Sequence, residues 1–320
     1  MLEFKCSSEE VLKIVKNTKK VSLNRWVTKY QGGLWILVGA LMFSVMNALA
    51  KYLPQIEGPD VLPLQLTFAR YAIATIVLLP FMLARPKLFR ASHKSRYFVR
   101  TLAGLGGIAL MFLAIRHIPL ASATAIGFTS PIFAMLFAAV LLRERIVTLR
   151  WLATMIGLGG AIIIAVPNGG SISFGSMIAI AAAIFMGAEI VSIKWLSQTR
   201  DHAVTILFYS NLAGSVLAFI GSSPILVWPN SGQFWILFMV GAVAVAGQIC
   251  ILRASRLSDA SFLAPFFYIS LFYSALIGFF AFDEPLAMST TFGCAAILLS
   301  GGITMMTANA NKNVEKGISV

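Results

Sequence analysis

Two ionisable side chains stand inside long apolar runs, and they have the most chemistry to offer. Arg70 interrupts Leu62–Leu83, and Glu189 interrupts Phe174–Leu196. A guanidinium held away from water is a fixed cation that pairs with a carboxylate or phosphate; it can also tie helices together through carbonyls. A carboxylate in the same setting binds a cationic group or carries a proton, or it packs helices as a protonated, hydrogen-bonded group. Either charge costs at least about 2.5–3.5 kcal/mol at the centre of a bilayer, so each needs a partner, water or a ligand. At about 1.5 Å per residue, Arg70 lies about 12 Å along its run and Glu189 about 22 Å along its own. That offset of about 10 Å lets them touch only if both side chains stretch.

Neutral polar and aromatic residues surround these two in sequence. Asn47, Tyr209, Asn211, Gln248 and Tyr268 all fall within apolar runs. Together with Glu189 they could wall a pocket whose ring faces suit a cation or a purine; the alternative is hydrogen bonding between helices. Asn47 shares one helical face with Ser44 and Lys51, at i, i+3 and i+7. The candidate substrate-binding residues are therefore Asn47, Arg70, Glu189, Tyr209, Asn211, Gln248 and Tyr268. Pro131 and Pro265 are candidate helix kinks, since each frees a backbone carbonyl. Lys51 reads as a side chain reaching for the interface. Glu144 and Asp283–Glu284 read as acids at helix exits, with Glu284–Pro285 capping the helix that follows.

Catalytic patterns do not occur. His93, His117 and His202 lie between apolar runs, without a His-Glu-x-x-His or a Gly-x-Ser-x-Gly. Cys6, Cys250 and Cys294 have no ligand spacing. The runs Gly104, Gly106, Gly107 and Gly157, Gly159, Gly160 suit close helix approach, not phosphate binding. The sequence thus predicts no catalytic residue, metal or cofactor. A channel reading finds no ring of charges or carbonyl filter.

The elements that must position these residues are membrane-crossing helices. Of 320 residues, 58% are hydrophobic and 12% charged, with a mean hydropathy of +0.85. An ordinary soluble domain carries about 25% charge, so a soluble fold is excluded; disorder and a disulfide scaffold are excluded with it. Ten stretches approach the roughly twenty apolar residues a span needs. They are Gly33–Tyr52, Leu62–Leu83, Phe98–Ile115, Ala121–Leu142, Trp151–Pro167, Phe174–Leu196, Val204–Ile220, Phe234–Leu252, Phe262–Phe282 and Met288–Ala308. The net charge of +13 sits between these runs, not on a solvated stripe, which argues against a nucleic-acid partner. Lys and Arg crowd residues 1–30 and the loop from Arg85 to Arg100, and they recur after every second span. The opposite side carries only Lys51 and Arg116. By the positive-inside rule both termini are cytoplasmic. Residues 1–30 form a basic tail without a signal-peptide core, suited to anionic lipid, and residues 309–320 a second tail.

The spans fall into two halves. The segment Ile118–Glu144 resembles Leu257–Glu284: a small-residue entry, an apolar helix, an acid at the exit, then a Gly-containing helix. Lys51 matches Lys194 in the same alignment, and Glu144 matches Glu284. Two five-span repeats, 31–167 and 173–308, follow; five is odd, so the second enters from the opposite side, as in many carriers.

These residues also carry a family resemblance. Phe68–Tyr71, Ile118–Glu144 and Ala264–Glu284, together with the length and span pattern, resemble the drug/metabolite transporter superfamily with paired EamA-type domains. The resemblance implies an all-α polytopic membrane protein of ten helices in two inverted five-helix repeats. It implies a secondary transporter, not an enzyme, moving a small organic metabolite across the plasma membrane (the inner membrane in a bacterium) by alternating access. An arginine at the place of Arg70 is common in that family whatever the substrate, which favours its structural reading. Leu207–Gly214 and Ala264-Pro265-x-x-Tyr268 are similar to the S-adenosylmethionine uptake branch. The substrates implied are S-adenosylmethionine or an amino acid, with a riboflavin-type vitamin or an exported metabolite or drug as the alternative. The partners are the substrate and the lipid bilayer, with a homodimer left open.

Overall fold

A computed structural model describes residues 31–85, 94–141, 148–165, 172–197, 203–257, 269–285 and 288–318. Helices dominate these residues, and no strand occurs among them. In lipid this is what the backbone requires, because a helix satisfies its own N–H and C=O groups where water cannot. In chain order the helices are α1 (31–52), α2 (Pro63–Leu83), α3 (Lys94–His117), α4 (Leu120–Gly127), α5 (Ser130–Leu141) and α6 (Thr148–Ala165). There follow α7 (Phe174–Ser197), α8 (Ala203–Ser222), α9 (Ser231–Leu257), α10 (Ile269–Phe282) and α11 (Met288–Ile318).

Seven described segments are long and apolar enough to cross a membrane: Gln31–Gln55, Pro63–Leu83, Arg96–His117, Leu120–Phe137, Phe174–Ser192, Val204–Ser222 and Ser231–Ile251. Three shorter apolar stretches, Met155–Ile164, Ile269–Phe282 and Met288–Ser300, stand where the fifth, ninth and tenth spans are expected. The chain is a multi-pass membrane protein. Its outer surface agrees: Ile76, Phe81, Met155, Phe280 and Trp228 all point outward with most of their side chain uncovered. In water such a face would drive aggregation; in acyl chains it costs nothing.

The fourth span is broken. A turn at Phe128–Thr129 separates α4 from α5, and Pro131 stands in the first turn of α5. At the break the Ile126 carbonyl accepts from Thr129 twice, from its backbone N–H at 3.0 Å and its hydroxyl at 2.6 Å. Pro265, Tyr268, Glu144 and residues 1–30 lie outside the described residues. Helix α11 continues to Ile318, through residues expected as a tail.

Small residues set the helix pairings. In α3, a Cβ on Gly106 or Gly107 would stand 2.7 or 2.8 Å from Phe185 or Met186 of α7. In α6, a Cβ on Gly160 would stand 2.7 Å from the Gly293 carbonyl of α11. Gly39 of α1 lies against Cys250 and Ile251 of α9, and Gly247 of α9 lies against Met42 and Phe43. The glycine runs read as sites of close approach serve that purpose, except Gly159, which faces open space. Helix α2 packs on α8 and α9, α4 on α10, and α3 on α8. The buried core, with Phe112, Ile115, Leu120, Ile126, Val240 and Ile297, runs through the middle of this assembly.

Two expectations are corrected at the end of the molecule where α1 finishes. Lys51 does not reach for the interface. Its Nζ donates to the Ile118 carbonyl at 2.9 Å and pairs with Glu284 Oε1. Glu284 does not cap the following helix either. Its Oε2 accepts the Leu120 N–H at 2.8 Å, so it caps α4, in the other half of the chain. The helix N-terminus carries partial positive charge and orphan N–H groups, which is why a carboxylate settles there.

Candidate substrate-binding site

The charged cluster is built from the middle of α2, the first turns of α3 and the second half of α7. Arg70 lies on the inward face of α2, 4% exposed. Its Nε and Nη1 have no hydrogen-bond partner among the described residues. Its guanidinium carbon stands 5.0 Å from the ring centroid of Tyr71, which is also buried. Arg100 of α3 is 9% exposed; its Nη2 is 3.6 Å from Glu189 Oε1, and its Nε has no partner among the described residues. At 3.6 Å that contact is an ion pair, not a hydrogen bond. Gly104, one turn beyond Arg100, makes room for the acid: a Cβ there would stand 3.0 Å from the Glu189 carboxylate.

The Tyr71 phenol lies in the fields of Arg70, Arg100 and Glu189 together, which makes these four one electrostatic unit. With both arginines and Glu189 ionised, the unit carries one uncompensated positive charge. An unsatisfied buried donor costs about 1–3 kcal/mol, more when charged. Helix α8 supplies the adjoining wall. Gly214 admits the Tyr71 ring, and Tyr209 meets Tyr97 of α3 edge-on at 6.1 Å.

Of the residues singled out from sequence, Arg70 and Glu189 belong to this unit and Tyr209 flanks it. They are joined through Tyr71 and Arg100, not by a direct bridge. Asn211 turns back on its own helix and donates to the Leu207 carbonyl at 2.8 Å. Asn47 and Gln248 are half-buried on α1 and α9, and among the described residues no hydrogen bond or ion pair joins them to the arginines. Arg100, Tyr71 and Tyr97 escaped the sequence reading, in which Arg100 counted as a loop charge. The available signal was helical spacing: Tyr97, Arg100, Gly104 and Gly107 share one face. Among the described residues no group of His, Cys, Asp and Glu could hold a metal ion.

A second ionic cluster is the Lys51–Glu284 pair. Beneath it runs a hydroxyl chain: Thr124 donates to Ser274 at 3.0 Å, Ser274 to Ser44 at 3.3 Å, and Ser44 to the Ser270 carbonyl at 3.0 Å. Nearby loops are tied as well. Gln65 bonds both ways to the Val227 backbone, Gln233 donates to the Pro59 carbonyl, and Asn230 to the Glu57 carbonyl. Gly58 lets the loop pass close to Asn230; its φ of 141° suits glycine alone.

With this geometry in hand, comparison with known proteins is informative. The model of the EamA-like transporter family matches residues 31–166 and again 173–306. The chain belongs to the EamA-like transporter family. It is 30% identical over 275 residues to a riboflavin transporter of Vibrio cholerae, covering 84% of this chain and 91% of that one. It is 27% identical over 281 residues to an S-adenosylmethionine uptake transporter of Rickettsia prowazekii, covering 86% and 93%. A pseudopaline exporter of Pseudomonas aeruginosa is 29% identical over 280 residues, covering 87% and 94%. A solved crystal structure shares the fold with a TM-score of 0.57 at 19% identity, over 90% of this chain and 98% of that one. This EamA-family chain is thus a membrane transporter by family, and its relatives handle chemically different cargo.

Proposed function

We propose that this transporter is a secondary carrier working by alternating access, with ten spans in two inverted repeats, 31–167 and 173–308, and both termini cytoplasmic. The observation that carries the reading is the set of helix pairings. Exchanging the two halves maps α2–α8, α4–α10 and α6–α11 onto themselves. It maps α3–α7 onto α9–α1, and α3–α8 onto α2–α9. A chain whose halves pack in equivalent ways reaches its second conformation by swapping their roles. In this reading Lys51–Glu284 and the hydroxyl chain close the outer side, and the route to Arg70 and Glu189 runs from the cytoplasm.

The substrate is a small organic metabolite, S-adenosylmethionine or an amino acid, and Glu189 recognises its cationic centre. The riboflavin transporter relative supports a vitamin as the second reading, and the pseudopaline exporter relative supports outward flux. Carriage needs no catalytic residue and no cofactor, and its partners are substrate and bilayer. The plasma membrane, the inner one in a bacterium, is the site of action, as a monomer or a homodimer.

Counterflow tests this. Purified protein in liposomes loaded with unlabelled S-adenosylmethionine should accumulate the labelled compound saturably, and Glu189→Gln should abolish it. Riboflavin and amino acids run in parallel arms. No counterflow with any of them, from protein shown to be folded, sinks the substrate assignment. An unchanged affinity and pH profile in Glu189→Gln removes the role of Glu189.

A further inference from the structure

The two arginines differ from every other charged pair among the described residues. Lys51 and Glu284 meet each other and the backbone, and Arg116 meets Asp60. Among the described residues Arg70, although buried, keeps two nitrogens without a partner, and Arg100 keeps one. Glu189 compensates only one of the two positive charges, and it does so from 3.6 Å. Removing the site from water without a counter-charge is unfavourable, so its composition fits a state in which a further anion is present. The unpartnered Nε and Nη1 of Arg70 lie on different edges of the guanidinium plane, and each leaves an N–H open to one oxygen of an anionic group.

We propose that Arg70, with Arg100 and Tyr71 beside it, is the subsite for the carboxylate of a carboxylate-bearing substrate. The proposal deepens the carrier reading and rests on it. One carboxylate brings the unit of two arginines and Glu189 to neutrality and gives an open Arg70 donor its acceptor. Glu189 then remains available, across Arg100, for a cationic group on the same molecule, which makes an amino-acid-like zwitterion the matching class. Arg70 is 4% exposed in this conformation, so the carboxylate enters and leaves only when the helices around α2 part. A group sealed in one state and reached in another is what a carried ligand requires.

The test is binding in detergent, which needs no transport. The probes are matched pairs differing only in the acid: L-methionine against L-methioninol, and S-adenosylmethionine against its decarboxylated form. The acid of at least one pair should raise the thermal midpoint of the wild-type protein by about 2–4 °C, and its partner should not. Arg70→Gln should lose that rise while keeping its unliganded midpoint, and Arg70→Lys should keep part of it. Phosphatidylglycerol, added alone, should give no rise that depends on Arg70. Equal shifts from acid and partner, no shift from either acid, or an Arg70-dependent shift from phosphatidylglycerol alone would each overturn the proposal. If the acid shifts the midpoint but counterflow fails, the subsite stands and the carrier reading falls. If counterflow is intact in Arg70→Gln, the carrier stands and the subsite falls.

Discussion

Among the described residues two ionic clusters sit largely inside the helix packing, and they are built on opposite terms. Around Lys51 and Glu284 both charges have partners: a carbonyl, a helix N-terminus and each other. Around Arg70, Arg100 and Glu189 three guanidinium nitrogens stay unmatched among the described residues. The first arrangement is what stability asks for. The second costs stability and is intelligible as a site kept ready for a ligand, since strained or unsatisfied groups concentrate where function is.

This contrast is sharpened first at Lys51. Lys51→Met leaves Glu284 buried beside an uncharged side chain and should destabilise the protein by about 2–4 kcal/mol. Both side chains keep 14% exposure, which holds the loss toward the lower end. Lys51→Met with Glu284→Gln should cost less than the two single changes added, as a denaturation cycle would record.

The opposite behaviour is expected at Arg70. Arg70→Met removes an unsatisfied charge, so the thermal midpoint should hold or rise, while initial counterflow should fall by about 10–100-fold, the worth of a charge-assisted hydrogen bond. A large loss of stability there would make Arg70 a structural tie and dissolve the contrast.

Gly104→Ala comes next. Its Cβ would press on the Glu189 carboxylate at 3.0 Å and push it from Arg100. A stability loss of about 1–3 kcal/mol is expected, with a changed substrate affinity that the same substitution at open Gly159 does not produce.

Asn230→Ala is the smallest. Asn230 and Gln233 cap α9 reciprocally, at 2.8 and 3.2 Å, and losing the cap should cost about 1 kcal/mol without affecting affinity.

The sequence showed the general architecture well and the contacts poorly, for physical reasons. Apolar length and periodicity are local properties, so the all-helical membrane character was plain. Glycine runs announce close approach, and Gly104, Gly106 and Gly107 do face α7. Glu284 was misread because its partner helix begins 164 residues away, and no local pattern encodes that meeting. Arg100 was misread because hydropathy treats an arginine near the start of a span as a topological charge. Only its alignment with Gly104 and Gly107 marks it as inward-facing. Asn211 looked like a site residue because an amide in a span needs a partner, yet its own helix provides one.

The central claim is that the Lys51–Glu284 end must open for transport. It can be tested by placing cysteines at positions 51 and 284 in a chain whose three native cysteines are replaced by serine. The two are then joined with a short bifunctional thiol reagent in liposomes. Counterflow of the substrate should cease in proportion to the cross-link, while singly modified controls stay active. Full counterflow with the link in place would contradict alternating access through this end.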